Sequence, residues 1–263
     1  MIFHELTIHT NTLGSELVGG VLMGAGVSCF VTEDFNDLNE VIEEKSIPFD
    51  YIEDALLAAR LLRGDRRIGP VFLAGHSMGA MLAPRIDAEG GDFAGLILLA
   101  GTPKPLEAVL QRQVHEQLAA MPKLVRKLSE KKLTKLLESF EGLYDLTDEE
   151  AKGKKLGNGV TLYYFKEMGE HPAEMYLTQL QKPVLIAQGS MDCQVSVTED
   201  YDAYRTMLEG RDNVTFRLYG GLNHCFVTAR TEKISEVKKE YSFERHIGPE
   251  VIGDIARWIH ENP

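Results

Sequence analysis

A serine hydroxyl becomes a useful nucleophile near neutral pH only when a base takes its proton and an acid orients that base. Ser77 sits in a setting suited to this, Gly75-His76-Ser77-Met78-Gly79. The G-x-S-x-G spacing reads as a sharp strand-to-helix turn, with glycines where strand and helix must pass close together. Such a turn exposes the hydroxyl. It also aims the first backbone N–H groups of the following helix, that of Met78 foremost, at a developing oxyanion. With 24 glycines in 263 residues the bare pattern is weak, and the alternative is a tight turn carrying an incidental serine. The flanks argue against that alternative: an apolar run at 71–74 precedes the motif and a helix-forming run at 78–86 follows it.

The partners of such a serine must lie where loops can gather them, at the carboxyl ends of strands. Two residues meet this condition. Asp192 closes Gln188-Gly189-Ser190-Met191-Asp192, just past the apolar run at 183–187. His224 closes Gly220-Gly221-Leu222-Asn223-His224, just past the run at 214–219. Glu199 and Asp200 compete with Asp192 but fall inside a predicted helix and should point away. His246 lies in a charged linker and His260 at the end of the last helix. His76 cannot turn back onto the hydroxyl of its own neighbour. It is assigned, with Tyr163 and Tyr164, to the substrate pocket.

The elements that would position these groups alternate strand and helix, which implies an α/β fold with a doubly wound, mostly parallel sheet covered on both faces. Residues 5–10 and 17–23 read as an antiparallel N-terminal hairpin, 27–31 as another short apolar run, and the acidic stretch 32–44 as a loop or weak surface helix. A helix begins at 48–50 with Asp50 as N-cap and buries a stripe of Ile52, Ala55, Leu56, Ala59 and Leu62. Pro84 sits inside the helix after Ser77. A strand at 96–99 ends at Gly101. Residues 1–102 and 183–263 form the expected core, and 103–182 a helical insertion over the site with helices at 106–121 and 124–140. Leu124, Leu128, Leu136 and Phe140 should share one face of the second. After the strand at 183–187 come a helix at 197–208, a strand at 214–219 and a closing helix at 249–260, its stripe Val251, Ile252, Ile255 and Ile259.

Composition narrows the function. Hydrophobic residues make up 44% and charged residues 26%, enough for a sizeable core. The net charge of −12 argues against nucleic acid and against anionic membranes as partners. The second helix of the insertion is locally basic, with Lys123, Arg126, Lys127, Lys131, Lys132 and Lys135. A membrane-surface helix is the sharper reading and a solvated face the preferred one. The N-terminus has no basic stretch leading into an apolar core, and no apolar run approaches about 18 residues, so a cytoplasmic location is expected. Cys29, Cys193 and Cys225 lack metal-type spacing. Cys193 and Cys225 neighbour Asp192 and His224 and should lie near each other as small packing residues.

The order Ser77, Asp192, His224, with residues 75–85, 95–101, 183–189, 212–224 and 249–259, makes the chain resemble bacterial α/β-hydrolase-fold serine esterases with a helical cap. These are the proteins grouped with dienelactone-hydrolase-like and prolyl-oligopeptidase-like enzymes. The resemblance implies hydrolysis of a small carboxylic ester through an acyl-enzyme. Ser77 would be the nucleophile, His224 the base, Asp192 the orienting acid and Met78 an oxyanion donor, with no cofactor and no metal. Peptide or thioester substrates remain open on the same machinery. The resemblance breaks at one point. Such proteins carry a strand ending in a His-Gly loop, which supplies the second oxyanion N–H, and no His-Gly stands between residues 24 and 70. Either a strand, its loop and a helix are missing, or the run 19–26 is a degenerate version of that strand with Gly24 or Ala25 as donor. A missing strand would impair catalysis, leaving a fold kept for binding or regulation, or would call for a partner subunit in a homo-oligomer.

Overall fold

The computed structural model describes residues 6–9, 47–156, 160–242 and 245–262. Five parallel strands form a sheet in the order β1 (Leu6–His9), β2 (Phe72–His76), β3 (Gly95–Leu99), β4 (Val184–Gly189) and β5 (Val214–Tyr219). Helix α1 (Ile47–Gly64) precedes β2, and α2 (Met78–Ile86) links β2 to β3. Between β3 and β4 the chain runs through α3 (Leu106–Ala120), α4 (Lys123–Glu138), α5 (Asp148–Gly153), α6 (Leu162–Glu170) and α7 (Ala173–Leu177). A helical turn, Val197–Tyr201, and α8 (Asp202–Met207) follow β4, while α9 (Val237–Glu240) and α10 (Pro249–Glu261) follow β5.

The three central strands are buried throughout and read as unbroken apolar runs, because helices cover both faces of a parallel sheet. Alternate side chains go to opposite layers. Leu73, Leu96, Leu98, Val184 and Ile186 pack with α1, α2 and α8, where Tyr204 is fully buried. Phe72, Ala74, Ile97, Leu99, Leu185 and Ala187 pack with α10. There Trp258 meets Phe72 edge to face, with centroids 5.8 Å apart. The stripe of α10 is thus Val251, Ile255, Trp258 and Ile259. Ile252 lies at its margin, and the indole, too large for full burial by pattern alone, takes the place expected for it. A third cluster, Phe140, Leu143, Ala151, Leu162, Tyr163 and Phe165, is the insertion's own core.

Of the expected N-terminal hairpin the structure describes residues 6–9, which form β1, parallel to β2 with Leu6 opposite Phe72 and His9 opposite Gly75. The second arm (17–23), the run 27–31 and the acidic stretch 32–44 lie outside the described residues. Helix α1 starts at Ile47, so Asp50 is within it rather than its cap. Proline is accommodated in a first turn because its missing N–H has no helical partner there. In α4 the expected face splits. Phe140 is buried and Leu136 packs on the insertion's core, whereas Leu124 and Leu128 stand 74% and 77% exposed.

Candidate active site

Ser77 is the N-cap of α2 and takes φ 56°, ψ −115°, a conformation that costs an L-residue of order 1–3 kcal/mol. Two features hold it there. Its N–H donates to Leu99 O at 2.8 Å, tying the turn to the end of β3. In addition, β2 and α2 pass so closely that a Cβ on Gly75 would lie 2.1 Å from Gly79 O. Gly101 has the same role after β3, where a Cβ would lie 2.5 Å from the Ala80 Cβ. The result is a half-buried hydroxyl at the carboxyl edge of the sheet. Met78 opens α2, and the N–H groups of a first helical turn have no partner within the helix.

Asp192 lies past β4 with its carboxylate out of contact with solvent and fully hydrogen-bonded. Oδ1 accepts from the backbone N–H groups of Gln194 (2.8 Å) and Val195 (3.0 Å). Oδ2 accepts from Gln188 Nε2 and from His224 Nδ1, both at 2.7 Å. Gln188, the polar residue of an otherwise apolar strand, also donates to Val195 O at 3.1 Å. A glutamine in that position was the available signal, and sequence reasoning passed over it. Because the carboxylate only accepts, His224 carries its proton on Nδ1 and leaves Nε2 as an acceptor. Asp200 is fully buried but serves another network, accepting from Thr102 Oγ1, Ser196 N and Arg112. Glu199 pairs with Lys104 at the surface.

His224 sits in a loop braced by Asn223, whose Oδ1 accepts from Cys225 N at 3.0 Å, and by Phe226 at φ 57°. The loop is stitched to the Asp192 loop. Met191 N donates to Leu222 O at 2.9 Å and Gly221 N to Ser190 Oγ at 2.8 Å. His224 is buried, whereas His246 and His260 are exposed.

His76 is the link to Ser77. Its Nε2 lies 2.8 Å from His224 O, so it donates, and the two rings stand 4.7 Å apart. Burial, then the nearby His224, lowers the His76 pKa to about 4. It therefore stays neutral near pH 7. The sequence assigned His76 to a pocket; the structure gives it a hydrogen bond beneath the His224 loop. Among the described residues no hydrogen bond joins Ser77 Oγ to His224. Such bonds are often long without substrate.

Cys193 and Cys225 flank the Asp192–His224 pair, and burial pushes each thiol up to about 11, away from reactivity. Tyr241 bonds Cys225 and the Gln194 side chain. From the insertion, Tyr164 reaches Met78, its hydroxyl on the thioether sulfur, and burial raises its pKa. Tyr163 instead fills the insertion's core beneath Lys152, 4.8 Å from the ring centre. Helix α3 holds the Asp192 loop from the other side. Arg112 Nη2 and Gln113 Nε2 donate to Gln194 O at 3.0 and 2.8 Å. Arg85 of α2 and Glu167 of α6 form a buried ion pair. Among the described residues no group of three or more His, Cys, Asp or Glu side chains is arranged to hold a metal, and no helix is long and apolar enough to cross a membrane.

A parallel sheet with helices on both faces, and a strained serine between a strand and a helix, define an α/β hydrolase. Residues 48–230 match the serine aminopeptidase (S33) family, and the chain belongs to it. It is 29% identical over 210 residues to the esterase EstD of Thermotoga maritima. That match takes in 80% of this chain but 47% of the relative, so the chain spans about half the length of the curated protein it matches. Among solved structures, Est1E from Butyrivibrio proteoclasticus superposes with a TM-score of 0.54 at 15% identity, covering 98% of this chain and 89% of that one. The proline iminopeptidase of Mycobacterium smegmatis does so with 0.55 at 12% identity, covering 100% and 90%. These likenesses support the fold.

Proposed function

We propose that the protein is a serine esterase that hydrolyses small carboxylic esters through an acyl-enzyme. The observation that carries the reading is the buried Asp192–His224 pair, hydrogen-bonded at 2.7 Å, with the His224 carbonyl held by His76, the residue beside Ser77. In this mechanism Ser77 Oγ attacks the ester carbonyl while His224 Nε2 takes its proton. The Met78 N–H and the N-terminal end of α2 stabilise the oxyanion. His224 then passes the proton to the leaving alcohol, and a water repeats the sequence on the acyl-enzyme to release the acid. Asp192 keeps the imidazole in the required tautomer and stabilises its charged form, with Gln188 fixing the carboxylate. The helices between β3 and β4 act as a cap, and Tyr164, in contact with Met78, borders the acyl pocket. The esterase named among the relatives supports an ester substrate.

The test is covalent. A fluorophosphonate should add one adduct by intact mass, and short p-nitrophenyl esters should be turned over; Ser77→Ala should lose both. An adduct that survives Ser77→Ala overturns the assignment. The family's description as serine aminopeptidases favours a second reading, peptide hydrolysis on the same residues. Aminoacyl p-nitroanilides cleaved faster than the esters would select it.

A further inference from the structure

Helix α4 is the anomaly on this surface. None of its residues is buried. Its half-buried positions, Arg126, Ser129, Leu133, Leu136 and Leu137, form the edge that faces the rest of the insertion. The opposite edge carries Leu124 and Leu128, one turn apart and 74% and 77% exposed. Lys127, Lys131, Lys132 and Lys135 surround them on the same side of the helical wheel. Four other lysines of this acidic chain, Lys104, Lys152, Lys166 and Lys182, are ion-paired. Among the described residues the six bases of α4 form no ion pair, although the chain has 40 acidic residues against 28 Lys and Arg.

We infer that α4 docks the protein on an anionic lipid surface, its lysines at the headgroups and Leu124 and Leu128 inserted among the acyl chains. Exposed leucines ringed by lysines suit that interface, where apolar insertion and attraction to anionic headgroups act together. A second copy of the chain is disfavoured, since a self-complementary contact would set lysines against lysines. The net charge of −12 does not oppose docking by this face. Salt screens charges beyond about 10 Å, so the lipid responds to the local basic patch. This surface reverses the solvated-face expectation for the helix and is independent of the chemistry assigned to Ser77.

Co-sedimentation with vesicles tests it. The full chain should partition onto phosphatidylcholine vesicles containing phosphatidylglycerol, with retention lost at high salt, and should ignore phosphatidylcholine alone. Leu124→Ala with Leu128→Ala, and separately Lys127→Gln with Lys131→Gln and Lys135→Gln, should each lower partitioning about tenfold or more. Alanine and glutamine keep the helix, which circular dichroism verifies. Hydrolysis of a soluble p-nitrophenyl ester should be unchanged in both variants, so failure of docking and failure of the esterase reading are separable. No binding to the anionic vesicles, equal binding to phosphatidylcholine alone, or unchanged partitioning of either variant overturns the inference. So does a wild-type dimer that the leucine variant converts to monomer, since a second copy would then cover the face.

Discussion

Gly189 should be the most sensitive position outside the reacting groups themselves. It ends β4, where the Asp192 loop leaves the sheet and the His224 loop crosses it. A Cβ there would lie 2.4 Å from Leu222 O, 2.5 Å from Asn223 O and 2.8 Å from Leu222 C, all backbone atoms. No rotamer change relieves such contacts. Restoring ordinary van der Waals distance means moving the His224 loop by about 1 Å, since ordinary contact begins at 3.4 Å. The loop is not free to retreat, because Leu222 O accepts from Met191 N at 2.9 Å and Gly221 N donates to Ser190 Oγ at 2.8 Å. Gly189→Ala should therefore cost about 1–3 kcal/mol of stability by overpacking. It should also lower kcat/KM on p-nitrophenyl acetate about 10²-fold, as a 1 Å misplacement of a catalytic group does, with the loss in kcat rather than KM. The fluorophosphonate labelling rate should fall in parallel. Gly253→Ala is the control: nothing lies within 4 Å of its Cβ, and helix propensity favours alanine there by up to about 1 kcal/mol. If Gly189→Ala has wild-type kcat/KM and an unchanged urea midpoint, the two loops are not held by each other and the argument fails.

Two further substitutions probe the supports. His76 has a folded pKa near 4, below the unfolded value of about 6.5. The unfolded chain therefore binds the proton first, and stability present above pH 6.5 is lost as pH falls toward 4, by up to about 3 kcal/mol. His76→Phe should remove that part of the acid slope in urea unfolding at pH 7 and pH 4.5. At pH 7 it should cost about 1–3 kcal/mol through the orphaned His224 carbonyl; parallel slopes would refute the assignment. Arg85→Met leaves Glu167 buried without its guanidinium and should cost about 3–5 kcal/mol. Arg85→Met with Glu167→Leu should recover most of this, because an apolar pair suffers no desolvation. A double variant as unstable as the single would show that the pair itself stabilises the α2–α6 contact.

Much of this architecture was legible because its signals are local. The apolar runs of β2, β3 and β4 are continuous because both sheet faces are covered; Ser77 and Asp192 stand just past β2 and β4, and His224 just past the more exposed β5. Much of what supports them was not legible, because most of those contacts are distant in sequence. Arg112 and Gln113 are ordinary polar residues until the fold brings them to the carbonyl of Gln194; Gln188, four residues before Asp192, was the local signal that was passed over. His76 was set beside a pocket because adjacency to Ser77 was the only visible fact; its bond to His224 joins residues far apart in the chain. The face of α4 was misjudged for a different reason. A run of leucines at helical spacing does not say which edge finds neighbours, and here Leu136 does while Leu124 and Leu128 do not. Alternation fixes a strand but not its partner: residues 6–9 were legible as a strand, and their parallel pairing with β2 was not.

That pairing bears on the oxyanion. A strand has two edges, and those of β2 are taken by β1 and β3. The run 19–26, with Gly24 or Ala25 as the expected second donor, lies outside the described residues. The strand beside the Ser77 turn on that side is β1, whose His9 is opposite Gly75, and β1 is the edge strand among the described residues. In the proposed mechanism the oxyanion donor among the described residues is the Met78 N–H at the head of α2. A single such donor is worth about 10²–10³ in kcat. Its effect rests on the same Ser77 geometry that Gly75 and the Leu99 carbonyl enforce. In that mechanism the backbone strain at Ser77 serves two ends, exposing the hydroxyl and turning the first amide of α2 toward the oxygen of the carbonyl that Ser77 would attack.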